Sequence, residues 1–99
     1  MELKLENYEE GFGGELHCPS CGFTNLHHEK VDIFERDEDA THCVHVSVEG
    51  GKATIDTLLE GNPSSRRHGL TIRFRCEGCK AKPVLKIKQH KGITYFDFN

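Results

Sequence analysis

Four of the five cysteines fall into two C-x-x-C pairs, Cys18/Cys21 and Cys76/Cys79, with 54 residues between them. Two thiolates two residues apart can reach one ion from a single tight turn. Two such turns facing each other complete the tetrahedral sulfur set that suits zinc. The long intervening segment does not oppose this, because loop-closure entropy grows only slowly with length. The spacing therefore predicts one structural Zn2+ held by Cys18, Cys21, Cys76 and Cys79. Four protein ligands leave no open position for water or substrate, so the expected role of the ion is structural and not catalytic. A thioredoxin-like C-x-x-C would need a βαβ context, and the chain lacks that pattern.

Such a staple answers a need. The chain has 99 residues, enough for one domain spanning 1–99. Hydrophobic residues make up 35% of it and Trp is absent, so the core is thin and a cross-link helps to hold it. An odd cysteine count argues against a closed disulfide framework. The N-terminal stretch MELKLENYEEGFGGE is acidic and lacks the basic start and apolar run of a secretory signal. No apolar stretch approaches the length of a membrane span. These features predict a cytoplasmic protein with reduced thiols and no membrane partner.

The patterning is extended throughout. Residues 1–14 read as an N-terminal arm, flexible or forming an edge strand through Leu3 and Leu5, ended by Gly11-Phe12-Gly13-Gly14. Gly22, just after the first knuckle, suits the positive φ of a tight metal turn. Strands are expected over 27–36, 41–49, 53–59, from Leu70 into Cys76, over 83–90 and over 93–98. Glu49-Gly50-Gly51-Lys52 is a strong hairpin signal. No 3.6-residue period is sustained. The expected fold is all-β, an antiparallel sheet of about six strands whose two knuckles meet at the cysteines.

Charge is unevenly spread. Residues 29–39 carry a net -4, whereas residues 66–91 carry +8 within a chain of net -3. The loop from Asn62 to Gly69 presents Arg66, Arg67 and His68, and adjacent Arg residues suit phosphate or carboxylate. Arg73 and Arg75 share one strand face, as do Lys86 and Lys88 on the next strand. Paired, the four would line up into a stripe able to track a phosphate backbone, unless Asp32, Glu35 or Asp56 neutralises them. Cys43 reads as a buried apolar filler within a strand. The seven histidines read as surface residues, with a second metal, and with it a small metal-dependent enzyme, as the less favoured alternative. No phosphate loop, H-E-x-x-H motif or convincing triad is present, so no enzymatic activity is expected.

The knuckles CPSCG at 18–22 and CEGC at 76–79, each flanked by strand pattern, resemble the zinc-ribbon superfamily. The stretch NPSSRRHGLTIRFRCEGC at 62–79 resembles small uncharacterised bacterial and phage zinc-ribbon proteins. The resemblance implies a metal-stabilised β fold but no single activity. The closed metal site and split charge point to a non-enzymatic protein-interaction module of regulatory or accessory kind. The alternative is a nucleic-acid-binding ribbon using Arg66, Arg67, Arg73, Arg75, Lys86 and Lys88.

Overall fold

The computed structural model describes residues 10–99, so the edge strand expected around Leu3 and Leu5 lies outside the described residues. It contains six strands: β1 (Leu26–Glu35), β2 (Val44–Glu49), β3 (Lys52–Asp56), β4 (Gly69–Cys76), β5 (Val84–His90) and β6 (Ile93–Phe98). They form one open antiparallel sheet in the order β3-β2-β1-β4-β5-β6. Two three-stranded meanders are thus joined back to back through the pairing of β1 with β4. No helix is present among the described residues, and none is long and apolar enough to cross a membrane. The strand expected to run through Leu59 stops at Asp56, whose carboxylate turns to accept the Leu58 N–H at 2.9 Å and starts a turn.

Both meanders close through two-residue hairpins. Glu49 pairs with Lys52 across Gly50 and Gly51, at φ 60° and 77°. His90 pairs with Ile93 across Lys91 and Gly92, at φ 53° and 78°. These left-handed pairs match the twist of the strands they connect. Glycine supplies that geometry freely, but Lys91 does not.

The register separates the side chains into two faces, because directly paired residues point the same way. Ile55, Val46, Ile33, Leu70, Ile87 and Phe96 form one unbroken row across all six strands. Ala53, Val48, Val31, Ile72, Leu85 and Phe98 form the next row on the same face. The row between them, on the opposite face, reads Thr54, Ser47, Asp32, Thr71, Lys86 and Asp97.

The polar face carries its own small core. Phe34, out of step with its apolar neighbours on β1, is buried there. Its ring stacks on His45 at 4.4 Å with an interplanar angle of 2°. The β3–β4 connection crosses this ring, and a Cβ on Gly61 would meet the Phe34 ring edge at 3.6 Å. His45 is clamped from both sides: Nδ1 donates to Asp56 Oδ1 and Nε2 to Asp32 Oδ1, each at 2.8 Å. Both ring nitrogens can donate only in the imidazolium form. Burial pulls the His45 pKa down, but the two carboxylates outweigh it, and the net shift is upward. The clamp joins β1, β2 and β3.

His45 holds its proton more firmly when folded than when unfolded. Its contribution is therefore complete below its ordinary value of 6.5 and is lost as pH rises through the raised value. Urea unfolding from mildly acidic to mildly alkaline pH should show this loss, and His45→Gln should remove most of that pH dependence. Lys91→Asn should raise stability by roughly 0.5–1 kcal/mol by relieving the left-handed strain. Chemical denaturation of the two chains side by side measures it.

Candidate functional site

The antiparallel pairing of β1 with β4 brings the start of one strand beside the end of the other. Leu26 stands opposite Cys76, and the Glu77 N–H donates to the Asn25 carbonyl at 3.1 Å. The first knuckle precedes β1 and the second follows β4, so the same pairing that builds the sheet closes the 54-residue gap. All four sulfurs lie within 4.8 Å of one another. Cys18 Sγ is 3.9 Å from Cys79 Sγ, and Cys21 Sγ is 3.5 Å from Cys76 Sγ. A tetrahedron with metal–sulfur bonds of about 2.3 Å places its sulfurs about 3.8 Å apart. The four cysteines can therefore bind one metal ion with little rearrangement. None of the five cysteines forms a disulfide.

Each knuckle is shaped by its backbone. In the first, the Gly22 N–H donates to the Cys18 carbonyl and the Cys18 N–H to the Phe23 carbonyl, both at 2.8 Å. Gly22 adopts φ 80°, as a turn this tight requires. In the second, the Gly78 N–H donates to Cys76 Sγ at 3.3 Å. Gly78 also lets the knuckles touch, since a Cβ there would lie 2.8 Å from Phe23 Cβ.

The thiol electrostatics favour a cation. Burial raises the Cys18 pKa, yet the Cys21 and Ser20 backbone N–H groups and the neighbouring thiols bring it down to about 7. The Phe23 backbone N–H lowers that of Cys21, but burial and the thiols of Cys76, Cys79 and Cys18 push it up to about 12. Four adjacent sulfurs thus share negative charge poorly on their own, and a divalent ion removes the conflict. Arg75, Lys80 and Lys82 line the depression beside Cys76 and Cys79 together with Glu77. Lys82 is paired with Glu29 at 2.8 Å, which leaves Arg75 and Lys80 to offset the negative charge that a four-thiolate centre would carry.

The histidines have other tasks. His17 Nδ1 donates to the Gly22 carbonyl at 3.1 Å and supports the knuckle from outside. His27 bonds Glu77 and ties β1 to the second knuckle. The sulfur cluster is the one metal-competent group among the described residues. Cys43 is buried as expected, but it precedes β2 instead of lying within it, and its thiol donates to the Leu58 carbonyl at 3.3 Å. Burial raises its pKa.

Three of the seven residues expected on the basic surfaces are committed internally. Arg66 bonds Asp39 at 2.6 and 2.9 Å and Glu38 at 3.0 Å. His68 points inward, its Nδ1 accepting the Arg36 N–H at 2.9 Å. Arg73 reaches Glu49 at 2.8 Å and Glu29 at 3.4 Å, so acids do neutralise it, though not Asp32, Glu35 or Asp56. Strands β4 and β5 pair and Arg73, Arg75, Lys86 and Lys88 share one face, but no two of them stand directly opposite: Lys86 faces Thr71, Lys88 faces Gly69 and Arg73 faces Val84. Arg67, Arg75, Lys86 and Lys88 make no ion pair among the described residues.

The loop is locked by residues that composition alone does not single out. Buried Ser64 donates to the Gln89 carbonyl at 2.7 Å and accepts the N–H groups of Arg66 and Arg67. Asn62 accepts the Ser64 N–H and donates to the Arg67 carbonyl, both at 3.0 Å. Gly69 leaves the room this requires, because a Cβ there would lie 2.1 Å from Asn62 Oδ1. The Asn-Pro-Ser run carried a turn signal, but nothing in it marked Ser64 as buried.

Cys76→Ser should abolish tight metal binding and destabilise the chain by more than about 4 kcal/mol, measured by metal analysis and thermal melting. Gly78→Ala should cost about 1–3 kcal/mol through the clash with Phe23. Adding Phe23→Ala should return part of that loss, a coupling that a double-mutant cycle detects. No family model, no curated protein and no solved structure matches the chain, so the reading of this site rests on its geometry.

Proposed function

We propose that this chain is a non-enzymatic, zinc-stabilised protein-interaction module that docks through the apolar face of its sheet. The observation carrying this reading is the composition of that face. Two complete rows of apolar side chains cross six strands, and Ile33, Val44, Val48 and Ile55 remain 45%, 50%, 41% and 74% exposed. Extended apolar surface of this kind marks interaction sites in soluble proteins. The sheet supplies the surface and the metal holds the sheet.

Zinc is the ion best matched to four thiolates in a tetrahedron, since it imposes no competing geometry and no redox chemistry. Its shell would be closed, which leaves no position for substrate activation. Free thiols suit a reducing compartment such as the cytoplasm, and a regulatory or accessory role in a bacterium or phage is part of this proposal. The nucleic-acid alternative receives less support, because Arg66 and Arg73 already serve internal acids.

The test compares wild type with Val46→Asp, on the apolar face, and Thr71→Asp, on the polar face. Binding of an apolar dye and retention of protein partners should fall for Val46→Asp and persist for Thr71→Asp. Equal behaviour of all three chains would refute docking through this face. Steeply salt-dependent binding to DNA or RNA by all three would favour the nucleic-acid alternative.

A further inference from the structure

We infer that the occupant of the apolar face is a second copy of the same chain, packed face to face as a two-sheet sandwich. This rests on the docking role proposed above and names its partner.

A sheet that is apolar on one side must bury that side against another layer. Among the described residues no helix and no second sheet lies over it. The covering surface has defined properties. It must be flat and apolar, and six strands spaced about 4.8 Å apart make it about 29 Å wide. It must also be nearly uncharged. From Val31 to Glu35 on β1 and along the other five strands, Glu35 is the only Asp, Glu, Lys or Arg on this face. A charged partner would gain no ion pair there and would lose hydration. A second copy meets these conditions, with one carboxylate per face, Glu35, at the end of β1 and so at the rim of the contact.

The size also fits. With rows about 7 Å apart, the two apolar rows cover a flat footprint of about 400 Å2. Phe98, at the end of the second row, is 1% exposed against Phe74 and adds nothing, so the open patch falls below the about 800 Å2 per partner of a standard interface, as suits a dimer that dissociates on dilution. Aligned sheets pack about 10 Å apart at about 30°, with side chains of the inner faces interdigitating. Ile33, Val46, Leu70 and Ile87, near the middle of the first row, would form the centre, as a two-fold self-complementary contact requires. A depression of about 370 Å3 bounded by Ile33, Leu70, Ile87 and Thr94 gives that surface the relief to receive side chains from the facing copy.

Sedimentation equilibrium of the metal-loaded full chain over a dilution series tests this. The expected result is a species of twice the 11.2 kDa chain mass that dissociates on dilution. Ile33→Glu and Ile55→Lys occupy exposed positions of the monomer and should both yield folded monomers by circular dichroism, whereas Thr71→Glu on the polar face should remain dimeric. A wild-type chain that stays monomeric at every concentration would overturn the inference. A dimer unaffected by Ile33→Glu and Ile55→Lys would overturn it too, and would point to edge-strand pairing. A monomer that still binds an apolar dye, and loses it with Ile33→Glu, would overturn the dimer alone and leave the docking role standing. A monomer whose dye binding ignores that substitution would overturn both.

Discussion

The antiparallel pairing of β1 with β4 is the contact on which everything else depends. Each strand anchors a meander that hairpin turns fold almost by themselves. Among the strand pairings only this one joins the two meanders, and its loop-closure cost is met by contacts between residues distant in sequence. The four cysteines stand at the end of that pairing. An ion there fixes the first residues of β1 against the last residues of β4. Structural zinc sites contribute on the order of 10–16 kcal/mol, against a net stability of about 5–15 kcal/mol for an ordinary domain. For a single-layer sheet with few buried side chains, a term of that size, supplied by an ion at the four cysteines, would decide whether the chain folds.

Much of this was written plainly in the sequence. Alternation at Val44, Val46 and Val48, the Gly50-Gly51 turn and the return through Ala53 and Ile55 defined a hairpin. The spacing of Cys18, Cys21, Cys76 and Cys79 foretold their convergence, because a thiolate pair two residues apart has few other uses in a reduced chain. The fate of the cations was not legible. Arg66 meets Asp39 only because the β1–β2 and β3–β4 connections run side by side, and Arg73 meets Glu49 only because β2 and β4 flank β1. Those are consequences of strand order, which local patterns do not encode. His45 was hidden for the same reason: its two carboxylates come from neighbouring strands.

Strand order also gives the two faces opposite characters. The polar face satisfies itself. Phe34 lies under the long loop, His45 sits between two acids, Asn62 braces the loop from within and Ser64 ties it to β5. The apolar face does not. At about 25 cal/mol/Å2, a 400 Å2 patch left in water forfeits on the order of 10 kcal/mol, as much as the whole net stability of a small domain. The proposed docking through that face and the metal-competent cysteines would thus be parts of one physical design, in which an ion holds in place a surface that gains by being covered.

X-ray absorption spectroscopy at the zinc edge, on chain carrying one equivalent of zinc, measures the central claim directly. A first shell of four sulfurs at about 2.3 Å with no nitrogen or oxygen ligand is expected. A mixed shell containing nitrogen or oxygen, or fewer than four sulfurs, would contradict it.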